Sequence, residues 1–278
     1  MTQGNDTEEQ VLKLELRLAQ LDRIDACHGN FIPFVRSMWP EFITGRHHKI
    51  IAEKLERVAK GELKRLIINM PPRHTKSEFA SYLFPAWMIG KHPNMKIIQA
   101  THTTELAVGF GRKVKNLLER DEYLEIFPDA KLAVDSKASG RWDTARGGMY
   151  YAVGVGSNLA GRGADLCIID DPHSEQTAMS TNGFDDAWDW YTGGPRQRLQ
   201  PGGAIIVVMT RWSEKDLTGQ LTRSMARDPL ADQWEIVEFP MELPSGDACW
   251  PEYWGQEDLT AVKASIPVSK WNAQYQQN

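Results

Sequence analysis

Cysteine is scarce in this chain: three in 278 residues, Cys27, Cys167 and Cys249. They lie far apart and form no Cys-x-x-Cys pair, which excludes a disulfide framework and a cysteine-type zinc site and agrees with a reducing compartment. Positive charge is not in excess either. Lys plus Arg number 32 against 37 Asp plus Glu, a net charge of −5, so the chain is no general binder of nucleic acid and any DNA contact is local. No apolar run approaches the length of a membrane span. The first ten residues have neither a basic region nor an apolar core, so they do not read as a signal peptide. A soluble intracellular protein is expected. Internal repeats are absent, and the length suits one large α/β core with a small appendage.

What is present is a short apolar run, residues 66–70, that ends in Pro71-Pro72-Arg73-His74-Thr75-Lys76-Ser77 and leads into an amphipathic segment. Strand, tight loop and helix start make an anion cradle, because the free N–H groups of a first helical turn face the loop. In the phosphate-loop pattern G-x-x-x-x-G-K-[ST], Lys76 reaches the β- and γ-phosphates of ATP and the Ser77 hydroxyl ligates Mg²⁺. Both glycines are missing, with Met70 and Thr75 in their places. The plainer alternative is a Pro-Pro turn that happens to hold Lys-Ser. A second feature shifts the balance. Residues 166–169 form another buried-strand run, closed by Asp170-Asp171-Pro172. In nucleotide hydrolases the first acid after such a strand holds Mg²⁺ and the next polarises the attacking water. Asp170 is then the metal acid and Asp171 the base. Glu is common in the second place and Asp is shorter by about 1.5 Å, so the water sits closer or another residue is the base. An Asp-Asp-Pro turn ending a strand is the ordinary alternative. Together the two motifs point to an ATPase.

Helices are expected over residues 7–26, 49–60, 77–89 with a bend at Pro85, 103–118, 184–198, and 213–225 with Ser213 as N-cap. Strands are expected over 66–70, 96–101, 166–169, 204–209 and 234–239, with hairpins in the Gly- and Arg-rich stretch 130–163. Strands alternating with helices imply a mostly parallel sheet covered on both faces. His47 and His48 read as exposed histidines or, for one of them, as a contact to a nucleobase. His173 orients water or caps its turn. Asp185 and Asp189 share a helix face and read as solvated.

In order and spacing these motifs resemble the large terminase subunit of tailed bacteriophages. Asn69-Met70-Pro71-Pro72-Arg73-His74-Thr75-Lys76-Ser77 resembles the family's Pro-Pro-Arg-His-Gly-Lys-Ser loop, departing at Thr75, where φ > 0 would strain a threonine. Gly154-Val155-Gly156, Gly161-Arg162-Gly163-Ala164-Asp165 and Ile168-Ile169-Asp170-Asp171-Pro172 resemble its second block. Val208-Met209-Thr210-Arg211-Trp212 with Asp216-Leu217 resembles its third, which couples hydrolysis to movement. The resemblance covers most of residues 43–277.

It implies an α/β P-loop NTPase fold of the ASCE type, doubly wound and mostly parallel, with a strand inserted between the lysine- and acid-bearing strands. It divides the chain into an N-terminal helical appendage (1–44), an ATPase core (45–245) and a tail (246–278) leading toward a nuclease domain that is absent here. The implied function is an ATPase motor that couples Mg-ATP hydrolysis to translocation of double-stranded viral DNA into the procapsid. A nucleotide-binding regulatory module or a helicase-like DNA-dependent ATPase is the alternative. The implied catalytic residues are Lys76, Asp171 and Arg73, the last a cis arginine finger or γ-phosphate sensor. Pro71, Pro72, Arg73, His74, Thr75, Lys76, Ser77 and His48 would surround the nucleotide, Ser77 and Asp170 would hold Mg²⁺, and Thr210 and Arg211 would couple hydrolysis to motion. Implied partners are DNA, the portal protein, the small terminase subunit and further copies of the chain in a ring, with no membrane. The implied location is the host cytoplasm, transiently the portal vertex, and never the mature virion. The family's nuclease needs several carboxylates on two metals, so no nuclease activity is expected from this chain alone.

Overall fold

A computed structural model describes residues 2–136 and 138–278, with side chains from residue 8 onward. Its centre is a seven-stranded sheet: β1 Arg65–Asn69, β2 Lys96–Thr101, β3 Arg141–Asp143, β4 Met149–Gly154, β5 Ala164–Asp170, β6 Leu199–Met209 and β7 Glu235–Glu238, in the order β3-β4-β2-β5-β6-β1-β7. All pairings are parallel except the β3–β4 hairpin. β6 lies between β1 and β5, with Ile68 opposite Val208 and Ile169 opposite Val207. This is the inserted strand that the resemblance implies.

Runs such as Leu66-Ile67-Ile68 are apolar throughout because a parallel sheet is buried on both faces. Successive side chains point to opposite faces, so each run feeds two cores. Leu66, Ile68, Leu166, Ile168, Ile206 and Val208 face one cluster, with Phe34, Leu55, Trp87 and Leu117. Ile67, Cys167, Ile169, Ile205 and Val207 face the other, with Trp190 and Leu221. The first layer comprises α1 Thr2–Gly29, α2 Phe31–Met38, α3 Arg46–Ala59, α4 Phe84–Lys91, α5 Thr104–Leu118 and α6 Asp121–Ile126. The second comprises α7 Glu175–Met179, α8 Gly183–Gly193, α9 Pro195–Arg198 and α10 Leu217–Arg227; α11 Gln256–Ser265 and α12 Val268–Lys270 follow β7.

Four local expectations change. The bend at Pro85 takes the form of a π-helical turn, Glu78–Leu83, before α4. Pro85 stands in the first turn of α4, where its missing N–H costs little. β6 starts at Leu199, not 204, and Pro201-Gly202-Gly203 bulge within it, where the register against β5 shifts. The N-cap of α10 is Asp216, which accepts from the Gly219 N–H at 2.9 Å; Ser213 lies one turn too early. The tail folds into α11, α12 and a π-turn, Trp271–Tyr275, that packs Trp271 and Leu259 on Met241. α1 docks only by its C-terminal end, where the Trp87 indole donates to the Cys27 carbonyl at 2.8 Å. Leu14, Leu16 and Leu18 along its middle are exposed.

Candidate nucleotide site

The carboxyl ends of β1, β6 and β5 bring five residues from three distant segments together. From β1 the chain passes through the loop 70–77, in which Arg73 and Thr75 take φ of 62° and 63°. Left-handed residues alternating with their neighbours turn successive N–H groups toward one concavity, an anion nest. Among the described residues, the N–H groups of Arg73, His74 and Thr75 donate to no protein acceptor. Lys76 is buried and its Nζ lies 3.1 Å from Asp171 Oδ2. Ser77 Oγ donates to Asp170 Oδ1 at 3.0 Å. The Thr210 N–H, just past β6, donates to Asp171 Oδ1 at 2.8 Å, and its hydroxyl donates to the Met70 carbonyl at 3.2 Å. The structure thus gathers Lys76, Ser77, Asp170, Asp171 and Thr210 at one strand edge.

The two carboxylates differ in setting. Asp170 is fully buried. Desolvation and the neighbouring Asp171 charge raise its pKa, while Lys76, Ser81 and Ser77 pull the other way. Its second oxygen accepts from Ser81 Oγ at 2.7 Å, and Ser81 in turn accepts from Gln99 Nε2 at 3.0 Å. Asp171 is partly open and stands at φ 42°, a strained value for a non-glycine residue. A serine hydroxyl and a carboxylate are hard oxygen donors, and Lys76 alone faces two adjacent acids. That donor set and its excess negative charge suit Mg²⁺.

Arg73 is exposed at the loop apex. Arg211 turns away from the acids: its Nε bonds the buried Asp216 at 2.9 Å, and its own N–H donates to Gln277 Oε1 at 3.3 Å. Asp216 also accepts from the Trp212 N–H at 2.9 Å, so one carboxylate shapes the turn after Thr210 and caps α10. Asp216 was read from the sequence only as part of the third block, without its capping role, and the Ser81–Gln99 relay was not read at all. Asp216 carried a usable signal, a capping acid three residues before Gly219; Ser81 and Gln99 carried none.

Three histidines need correction. His47 and His48 are buried, not exposed. The His48 ring is enclosed by Phe42, Phe79, Trp250 and His47, behind the loop and off the cleft, so it is not placed to touch a base. His173 Nε2 accepts from the Leu217 N–H at 2.9 Å. It caps α10 and not its own turn, and burial lowers its pKa to about 4. His74 lies under Trp254, ring centroids 5.8 Å apart and nearly parallel.

A cleft of about 370 Å³ opens beside the loop, lined by Arg73, Thr75, Lys76 and Ser77 on one side. Trp39, Phe42 and Ile43 from the segment before α3, with Trp250 and Tyr253 from the segment after β7, line the other. Trp250 and Tyr253 stack at 4.4 Å. Gly45 permits this wall, since a Cβ there would lie 2.7 Å from Trp250. The loop wall carries Arg73 and Lys76 with Glu78 beside them, and the opposite wall is mainly aromatic, with Glu41 among the rings. The size and the two chemistries fit a nucleoside polyphosphate.

No protein-family model matches the chain, and no curated protein matches it by sequence. By structure it is similar to the large terminase of bacteriophage HK97, over 92% of this chain and 55% of that one, with a TM-score of 0.54 and 14% identity. It is also similar to a mutant of the large terminase ATPase domain from Thermus phage P74-26, over 87% of this chain and 96% of that one, with a TM-score of 0.53 and 14% identity. The chain spans about half the length of the HK97 protein. No helix among the described residues is long and apolar enough to cross a membrane. The strand order, the loop and the site at the strand ends together carry the fold of the large-terminase ATPase domain.

Proposed function

We propose that this domain is the ATPase motor of a DNA-packaging large terminase, hydrolysing Mg-ATP to drive double-stranded viral DNA into a procapsid. The observation that carries the reading is the convergence of Lys76, Ser77, Asp170, Asp171 and Thr210 at the ends of β1, β6 and β5, with β6 between the other two. In the proposal, the loop N–H groups and Lys76 bind the phosphates, and the aromatic wall holds the base. Ser77 and Asp170 offer oxygen ligands to Mg²⁺, whose charge when bound neutralises phosphate oxygens. Lys76 leaves Asp171 for the γ-phosphate, and Asp171, freed, orients and deprotonates the attacking water. Arg73 reaches the γ-phosphate from the loop apex. The Thr210 N–H senses the departure of Asp171, and the turn through Arg211 and Asp216 passes that shift to α10. DNA, the portal protein, the small terminase subunit and further copies of the chain in a ring are the proposed partners. The host cytoplasm, and transiently the portal vertex, is the proposed place of work.

Phosphate release by the chain, measured alone, with linear duplex DNA and with portal-bearing procapsids, tests the reading. Turnover that rises with DNA or procapsid is expected. ATP binding with no turnover under any of these conditions would replace the motor by a regulatory module. Strand separation on a forked duplex would replace it by a helicase.

A further inference from the structure

Position 75 poses a problem that the loop must solve. Its φ of 63° suits glycine, yet it holds a β-branched threonine. The same residue lines the cleft next to Lys76 and Ser77, so any drift of its backbone would move the phosphate-facing N–H groups.

The hydroxyl of Thr75 is held at two points. It donates to the His74 carbonyl at 2.6 Å and lies 2.6 Å from His48 Nε2. The other ring nitrogen, His48 Nδ1, accepts the Gly45 N–H at 2.9 Å. A backbone N–H can only donate, so Nδ1 is bare and Nε2 carries the proton. The chain of donation is therefore directional: Gly45 N–H to His48, His48 to Thr75, Thr75 to the His74 carbonyl. The ring cannot turn, because Phe42, Phe79, Trp250 and His47 enclose it, with centroids 3.7–4.9 Å away. It is wholly buried and absent from the cleft lining.

We infer that His48 is a positioning residue for the phosphate loop: neutral and caged, it fixes the Thr75 hydroxyl and thereby holds a non-glycine loop in an anion-binding shape. This deepens the proposed nucleotide-binding reading and rests on it. His48 at the third position of α3 would ordinarily only cap its own helix; here its far nitrogen extends the cap into the loop. The sequence counterpart is a pair, His48 with Thr75, in place of a loop glycine.

Binding of a fluorescent ADP analogue with Mg²⁺, together with a thermal melt of each variant, provides the test. His48→Ala is expected to weaken binding about fivefold to tenfold, the loss of one ordering hydrogen bond. Thr75→Val, which keeps the shape and His48 but removes the hydroxyl, is expected to weaken it comparably. In a Thr75→Gly background the further effect of His48→Ala is expected to fall below about twofold, because glycine needs no tether. An equal effect of His48→Ala in both backgrounds overturns the inference, and so does wild-type affinity in folded Thr75→Val. Thr75→Val keeps the inference testable where His48→Ala does not fold. Failure of the unaltered chain to bind the analogue would instead overturn the nucleotide reading itself, and this inference with it.

Discussion

Lys76, Ser77, Asp170 and Thr210 stand at the ends of three hydrogen-bonded parallel strands, whereas Trp39, Phe42, Trp250 and Tyr253, across the cleft from Lys76 and Ser77, come from irregular segments near opposite ends of the sequence. The phosphate wall is fixed by backbone ladders and by hydrogen bonds of 2.7–3.0 Å to Asp170. The side chains of the base wall are held by ring packing, with centroids 4.4 Å apart for Trp250 and Tyr253 and 5.3 Å for Trp39 and Phe42, over turns closed by backbone bonds from the Phe42 N–H to the Trp39 carbonyl and from the Tyr253 N–H to the Trp250 carbonyl, both 3.1 Å. Directional bonds demand particular residues at particular positions. Ring packing demands only aromatic area, which can be supplied from anywhere in the chain. The first wall is accordingly rigid in chemistry and the second free to vary.

Breaking the phosphate wall has the largest effect. Lys76→Ala is expected to lower the ATPase rate at least about a hundredfold by removing a charge that acts on the transferring phosphate, and to weaken ATP binding. Asp171→Asn is expected to keep ATP binding and lose about 10²–10⁴ in turnover. Single-turnover hydrolysis alongside a binding titration separates the two. Equal turnover by Asp171→Asn and the unaltered chain would move the base elsewhere.

The buried histidines are next, His47, His48 and His74 behind the two walls and His173 at the start of α10. His47, His48, His74 and His173 are buried, and burial lowers their pKa values to about 3, 2, 4 and 4. Unfolded histidines titrate near 6.5, so below that pH the unfolded chain binds more protons than the folded one. Stability therefore falls as pH drops, by up to about 1.4 kcal/mol per pH unit for each histidine. Asp170, whose pKa is raised by burial, opposes this with a single group. The urea midpoint is expected to be clearly lower at pH 5 than at pH 7; an equal midpoint would show that the histidines are not buried neutral.

Behind the phosphate wall, Ser81→Ala removes a donor from Asp170 and strands the Gln99 amide, at a cost of about 1–3 kcal/mol, read from urea unfolding without nucleotide. The smallest effect belongs to the base wall. Tyr253 is 55% exposed, so Tyr253→Ala is expected to leave the melting temperature within a degree or two. It should weaken ATP by about 0.5–1.5 kcal/mol and leave inorganic triphosphate unaffected. An equal loss for triphosphate would show that the two walls are not independent.

The unequal legibility of the two walls follows from the same physics. Strand runs and a Lys-Ser turn are local patterns, so β1, β5 and the groups at their ends were readable. The cap of α5 is a local signal of the same kind: either Thr103 or Thr104 suits it by residue type, and Thr103 takes the role, accepting from the Leu106 N–H. Ser213 was a plausible cap for α10 until the fold supplied Asp216, a stronger acceptor reached through a buried turn. The histidine pair was read as exposed because its helix start looked polar; the aromatic cage that buries it comes from Phe42, Phe79 and Trp250, none of them adjacent to it.

By itself, the sequence determined the alternation of strands and helices, the parallel sheet, and the polar residues that follow β1 and close β5, because periodicity and turn chemistry act over a few residues. Only the tertiary structure decided that Thr75 stands at positive φ under a histidine tether, that Ser81 and Gln99 back Asp170, and that the tail closes the cleft with Trp250 and Tyr253. Those outcomes depend on which distant segments pack together, and contacts across 18, 27 or 89 positions leave no periodic trace in the chain.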